Sequence, residues 1–346
     1  MSKSNIEWTG HTWNPIAGCS LKSPGCTHCY AMIMARRIEA MGSLPHYTGL
    51  TKVVNGNAVW TGKIAMAPES VLLQPLQRKR PTTYFVNSMS DLFHENVPDE
   101  WIDHIFAVMA LAPQHTFQVL TKRADRMRKY FKPHCQRRAD GLGKAVLELG
   151  YKDPLECLCW PLPNVWLGVS CEDQVRADER IPDLLNTPAA IHFISAEPLL
   201  GPINLRAVTV RGIIEGDFDI DALGRTDFPI LDWVIVGGES GPGARPTHPD
   251  WVRSMRDQCS AADVPFFFKQ WGTWAPQLGA IDLHEFGETS RRQWVAWDGD
   301  HWDYWDRPAW CDDIGEPEDC LVKVGKKVAG RLLDGVQHCC MPGVSA

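Results

Sequence analysis

The sequence predicts an α/β architecture, a partial or full (β/α) barrel. Three observations carry this expectation. Six short apolar runs recur along the 346 residues, continuous rather than alternating, as in strands covered on both faces of a parallel sheet. Helix-like segments separate them, and repeated strand–helix alternation implies a barrel or an open α/β sheet. Most of the runs end in polar residues, at the strand edge where such folds gather their chemistry.

Taken in chain order, "HTWNPIAG" (11–18) is the weakest strand candidate. "YAMIMARRIEAMG" (30–42) follows as a helix that stops at Gly42, a residue suited to a left-handed cap. "TYFVNSM" (83–89) is the next strand and delivers Asn87, Ser88, Ser90 and Asp91 at its end. "PDEWIDHIFAVMALAP" (98–113) opens with proline and acids and closes at Pro113, as a helix does. "TFQVLTK" (116–122) ends in Thr121, Lys122 and Arg123, and "VWLGVSC" (165–171) leads to Ser170 and Glu172. A helix over 173–188 precedes "IHFISAE" (191–197), with Ser195 and Glu197 at its end. "DWVIVGGE" (232–239) ends at Glu239, a helix covers 248–265, and "PFFFKQ" (265–270) ends at Lys269 and Gln270. Polar residues at the ends of six strands predict one shared pocket.

This divides the chain into a barrel over 8–270 and a C-terminal part over 271–346. Two stretches interrupt the barrel, at about 135–163 and 203–230. The C-terminal part holds seven tryptophans between Trp271 and Trp310, and "RQWVAWDGDHWDYW" predicts a hairpin turning at Asp298-Gly299. An apolar fraction of 44% supplies a large core, and 22% charged residues exclude global disorder. No apolar run reaches the about 18 residues of a membrane span, and the first ten residues lack the apolar stretch of a signal peptide. The expected location is the cytoplasm, where the twelve cysteines serve as reduced thiols or metal ligands.

Three of those cysteines, Cys19, Cys26 and Cys29, fall within "GCSLKSPGCTHCYA". Thiolates suit zinc or iron–sulfur clusters. A structural zinc site wants four protein ligands, for which His28 or His11 is the available fourth. A four-iron cluster held by three cysteines instead leaves one iron open to a substrate or cofactor. Three unrelated buried thiols are the third alternative. Gly18, Pro24 and Gly25 allow tight turns, and the last two cysteines sit at the mouth of a helix, whose dipole favours thiolates.

A three-cysteine loop after a first strand, opening a helix and followed by βα repeats, resembles the radical S-adenosylmethionine (radical SAM) superfamily. The spacing here, Cys-x6-Cys-x2-Cys, is longer in its first gap than the common form. Blocks such as "WNPIAGCSLKSPGCTHCYA", "VNSMSDLFH", "FISAEPLLG", "WVIVGGESGPGARP" and "FFFKQWG" resemble a phage-associated three-Cys-motif family of unknown function, from Trp8 to Gly335. That resemblance implies a radical SAM-type barrel with a [4Fe-4S] cluster on Cys19, Cys26 and Cys29. It further implies S-adenosyl-L-methionine on the open iron, reductive cleavage that starts radical modification or repair of a substrate, and an electron donor such as flavodoxin or ferredoxin. The superfamily's amine-binding Gly-Gly-Glu follows the second strand; here "SMSD" stands there, and Gly-Gly-Glu occurs at 237–239. Ser88, Ser90 and Asp91 are therefore expected at the methionine end of the cofactor. Ser170, Glu172 and Glu197 are expected near its ribose or adenine, and Glu239 on the same cofactor wall. No catalytic residue is assigned.

Substrate candidates are Lys122, Arg123, Lys269 and Gln270, at two strand ends. Residues 121–138 carry eight basic residues against Asp125 alone, a segment that either binds the phosphates of a nucleic acid or forms a solvated helix face. The net charge of −7 excludes a uniformly basic coat but not such a strip. The competing function is a zinc-stabilised nucleic-acid-binding or interaction protein without radical chemistry. Cys311, Cys320, Cys339 and Cys340 are candidates for a second cluster.

Overall fold

The structure, a computed structural model, is described over residues 4, 6–132, 135–151, 160–212, 216–224, 229–276, 292–307 and 320–343. Its centre is a seven-stranded parallel sheet: β1 (His11–Trp13), β2 (Thr83–Val86), β3 (Thr116–Thr121), β4 (Val165–Ser170), β5 (Ile191–Ala196), β6 (Trp233–Gly237) and β7 (Phe266–Gln270). Each strand pairs in parallel with the one before it. Strictly sequential parallel order curls the sheet into a half-barrel, compatible with the partial barrel expected.

The crossovers are α1 (Tyr30–Met41), α2 (Asp99–Ala110), α3 (Ala124–Phe131), α4 (Cys135–Glu148), α5 (Gln174–Leu185) and α6 (Pro249–Ala261). α1 ends where Gly42 takes φ 65°, a left-handed cap. The Asp173 carboxylate accepts from the Arg176 amide and starts α5. The first half of the supposed interruption at 135–163 is α4, whose Leu142, Ala145 and Val146 join the main core. Residues 203–230 include an antiparallel pair, Val208–Val210 with Phe218–Ile220.

Strand residues divide by alternation. Tyr84, Val86, Phe117, Val119, Leu167, Val169, Val234 and Val236 belong to the main core beneath the helices. The opposite set, Phe85, Leu120, Trp166, Phe193, Trp233, Ile235 and Phe267, packs with Trp8 into an aromatic floor. Gly168 belongs to this inner face because the Phe193 ring fills its side-chain space; a Cβ there would lie 2.5 Å from the ring. One step further along the same face stand Ser170, Ser195, Gly237 and Lys269. The inner face is thus apolar below and polar at the C-terminal strand ends.

Beyond β7 come β8 (Trp274–Pro276), β9 (Arg292–Trp297), β10 (Trp302–Arg307) and β11 (Leu321–Lys323), an antiparallel sheet in the order β8-β11-β9-β10. β9 and β10 form the expected hairpin, with Trp297 opposite Trp302. Their connection spans 298–301 and is held by the Asp298 carboxylate, which accepts from the Asp300 and His301 amides. Trp297 and Trp302 pack on Trp251 of α6, so these rings are core rather than a free stacking platform. The end of the chain returns to the sheet: the Phe268 amide donates to the His338 carbonyl, and Phe267 bridges Cys339 on the edge of β7. No helix among the described residues is long and apolar enough to cross a membrane.

Candidate functional site

The cysteine loop rises from β1 and lies across the strand ends. Its root is fixed by backbone geometry. Gly18 has φ 99°, and a Cβ there would lie 2.1 Å from the Lys63 carbonyl oxygen. Its amide donates to the Met89 carbonyl, and the Ser90 hydroxyl donates to the Ile16 carbonyl at 2.9 Å. Asn14 Oδ1 accepts from the Ser88 hydroxyl and the Met89 amide. The loop after β2 is therefore stitched to the root of the cysteine loop.

Three strand-end acids then grip the loop itself. Asp91 accepts from Thr121 Oγ1 at 2.6 Å, the Lys122 amide at 3.1 Å and Arg123 Nη1 at 3.0 Å. Arg123, held in this way, donates to the Ser20 hydroxyl at 2.7 Å and approaches Cys19 Sγ at 3.8 Å. Glu172 is fully buried; it accepts from the Gly25 amide at 3.1 Å, Lys122 Nζ at 3.2 Å and Arg180 Nη1 at 3.0 Å. Glu239 accepts from Arg245 and faces His28 Nδ1 at 3.2 Å. The grips fall between or beside the thiols, at Ser20, Gly25 and His28. Together they over-determine the positions of Cys19, Cys26 and Cys29.

Electrostatics follow from burial and these contacts. Burial, with Asp91 nearby, pushes the Cys19 thiol up to about 12, against the opposing pull of Arg123. Burial also raises Cys29, partly offset by the amides of Ala31 and Met32 at the start of α1. Burial alone would raise Glu172, but Lys122 and Arg180 overcome it and hold the carboxyl at about 2. Glu239 is likewise lowered: Arg245 and His28 outweigh its burial.

Between loop and strand ends lies a cavity of about 460 Å³, in the range of small-molecule sites. All three cysteines line it. So do Ser88, Ser90, Asp91, Lys122 and Arg123 on one side, and Ser170, Glu197, Glu239, Lys269 and Gln270 on the other. Glu172 stands behind the wall, beneath Gly25. The strand ends expected to share a pocket do share one. Asp91, Glu172 and Glu239 also hold the loop, and Arg123, 4% exposed, is part of that scaffold. Lys269 forms an ion pair with Glu197 inside the cavity. Within the basic strip, Lys122, Arg123, Arg126, Arg128 and Lys129 each pair with a carboxylate.

Sequence reasoning missed His28 as the partner of Glu239, Arg245 as the clamp on that acid, and Ser240 and Lys326 in the cavity wall. The "GAR" that brings Arg245 back onto Glu239 is a local signal that could have been read.

The donor set bears on which metal fits. The three Sγ atoms do not all lie within 4.8 Å of one another, whereas thiolates on one tetrahedral zinc stand about 3.8 Å apart, given Zn–S bonds of about 2.3 Å. His28 is engaged by Glu239, and His11 lies at the start of β1 against Arg78. Three thiols on one compact loop offer soft ligands to either a zinc ion completed by a fourth ligand or a polynuclear cluster in which each thiolate holds a different metal atom. Of the second set, Cys320 is buried with Trp294 and Val322, Cys339 and Cys340 are exposed beside the β7 edge, and Cys311 lies outside the described residues. Cys135 begins α4, and Cys157 and Cys159 also lie outside the described residues.

A family model described as "Protein of unknown function (DUF5131)" matches residues 3–342. No curated protein and no solved structure matches the chain.

Proposed function

The chain belongs to the DUF5131 family, which brings no activity with it, and from the site we propose a radical SAM-type enzyme. In this reading Cys19, Cys26 and Cys29 hold a [4Fe-4S] cluster, and the cavity takes S-adenosyl-L-methionine beside it. When bound, a cluster with one open iron supplies the electron and the coordination site for reductive cleavage of a sulfonium. The protein's part is placement. Asp91 with Arg123, Glu172, and Glu239 with His28 fix the loop, and the α1 amides face Cys29. The aromatic floor excludes water from beneath the cavity, while Ser88, Ser170 and Glu197 offer polar contacts to the cofactor.

One observation carries the reading: three thiols of a single loop are braced over a cavity at the C-terminal ends of a parallel half-barrel. Along residues 122–129 five basic side chains already pair with carboxylates, so the strip is not what carries the substrate reading. The substrate proposed is therefore one that fits beside the cofactor or inserts a single group, such as one base, into the cavity. Anaerobic reconstitution with iron and sulfide, followed by dithionite reduction, tests the reading. Release of 5′-deoxyadenosine from S-adenosylmethionine, absent in the triple Cys→Ala variant, supports it. A folded wild type that binds one zinc and assembles no cluster overturns it.

A further inference from the structure

We propose that Glu197 and Lys269 form a recognition pair for one edge of a nucleobase, a flat ring that offers a hydrogen-bond donor beside an acceptor. The inference rests on the functional reading above and names its substrate class. The sheet builds the pair. Glu197 directly follows β5, Gly237 ends β6, and Lys269 lies in β7, on three adjacent strands. A Cβ on Gly237 would lie 3.3 Å from the Glu197 carboxyl carbon and 3.5 Å from Lys269 Cβ. Glycine on the middle strand thus lets the side chains of the flanking strands meet over it as an ion pair. This pair is also free of the scaffold. Asp91 and Glu239 grip the cysteine loop, Asp91 and Glu172 engage Arg123 and Lys122, and Lys326 pairs with Glu7. The Glu197 and Lys269 side chains make no other hydrogen bond or ion pair among the described residues, and their own contact uses Glu197 Oε1. Glu197 Oε2 remains as an acceptor and the Lys269 ammonium keeps further donors, both in the cavity wall.

Charge and shape select the ligand. The pair is neutral as a unit. A bare anion that reached Lys269 would also meet Glu197, and a bare cation the reverse. The ligand that satisfies both is itself neutral and presents an acceptor next to a donor. Trp8, Tyr30, Trp60 and Phe85 line the same cavity, and aromatic walls suit a flat ring. A small zwitterion would match the charges without using the rings. A nucleobase edge uses both: a carbonyl beside a ring N–H in uracil or guanine, an amino group beside a ring nitrogen in cytosine or adenine. The Glu197 and Lys269 side chains are only 19% and 13% exposed, so an edge of the wrong polarity leaves groups that water cannot fully satisfy. Position agrees. Ser88 and Ser170, after β2 and at the end of β4, lie on one side of Glu197 in strand order, and Lys269 lies on the other. Cofactor and base then share the cavity with Glu197 between them.

The test measures binding of uridine, cytidine, guanosine and adenosine to the anaerobically reconstituted protein by calorimetry. Short single strands of uridine or of cytidine are titrated alongside. Uridine and cytidine should differ about tenfold or more in Kd, and guanosine and adenosine should differ in the same sense. The double variant Glu197→Lys/Lys269→Glu keeps an ion pair but exchanges donor with acceptor, so the preference should invert. Lys269→Met, a second variant with thermal melts as a check on folding, should weaken the preferred bases about tenfold and the others much less. Tighter binding of the strand than of its nucleoside places the base in a polynucleotide, and equal binding makes it a free nucleoside; preference with inversion supports the proposal in both cases. No binding at millimolar concentration, equal binding within each size class, or a preference that the exchanged pair leaves unaltered overturns it. So does a variant set that changes only the Kd of S-adenosylmethionine, which gives the pair to the cofactor's adenine. A folded wild type that assembles no cluster overturns the functional reading, a result read from iron content and so distinct from the base preference read by calorimetry.

Discussion

Replacing Glu172 by glutamine tests the bracing of the cysteine loop most simply. The substitution keeps size and one acceptor for the Gly25 amide but removes the charge that faces Lys122 and Arg180. Arg180 is 1% exposed and Glu172 is fully buried, so solvent cannot replace the lost partner. Breaking such a buried arrangement from one side costs about 3–5 kcal/mol. The pH dependence gives a second measure. The folded Glu172 carboxyl sits at about 2, below the 4.5 of an unperturbed group. A depressed carboxylate contributes stability that is full above its unfolded pKa and is lost as pH falls through the folded one. The contribution is about 3 kcal/mol, present at neutral pH and lost between about pH 5 and pH 2. Urea unfolding of both proteins at neutral pH and at steps down to pH 3 reads this as a difference. That difference should be large at neutral pH and shrink as the wild type acidifies. A variant within about 0.5 kcal/mol of wild type at neutral pH, or one with the same acid slope, would refute the reasoning.

Three other substitutions probe the same scaffold. Arg123→Ala strands Asp91 among buried groups and should lower stability by about 3 kcal/mol or more; Arg123→Lys, unable to span Asp91, Glu95 and Ser20 at once, should recover only part, as thermal melts will show. Gly18→Ala must relieve both its positive φ and its clash with the Lys63 carbonyl, and should lower iron uptake as well as melting temperature; normal uptake contradicts the placement of the loop root. Gly168→Ala drives a Cβ into the Phe193 ring and should cost about 1–3 kcal/mol, with partial recovery on adding Phe193→Leu; failure to recover in chemical denaturation speaks against the inner-face packing described.

Much of the fold was legible because parallel strands buried on both faces leave continuous apolar runs. The run 165–171 became Val165–Ser170, 191–197 became Ile191–Ala196, and 265–270 became Phe266–Gln270. The first strand was read too long because "HTWNPIAG" holds two short elements, His11–Trp13 and Ile16–Ala17. α4 was missed because its glycines and basic residues hide the core positions Leu142, Ala145 and Val146. The hairpin Thr51–Val54 and Asn57–Trp60 carried a clear signal, Asn55-Gly56 with both residues at positive φ, that went unread. Convergence of the polar strand ends followed from topology alone. Their partners did not: Glu172 meets Gly25 across 147 positions and Glu239 meets His28 across 211, separations over which only the curled sheet decides which carboxylate meets which amide or ring.

The metal itself is the decisive quantity. Mössbauer spectroscopy with iron and sulfide analysis on anaerobically reconstituted protein should find about four irons per chain in one cluster. One iron should change its signal when S-adenosylmethionine is added. The cluster should vanish in the Cys19, Cys26 and Cys29 triple Ala variant and persist when Cys320, Cys339 and Cys340 are replaced. A single zinc with all ligands supplied by the chain, or a cluster indifferent to the loss of the three loop cysteines, would contradict it.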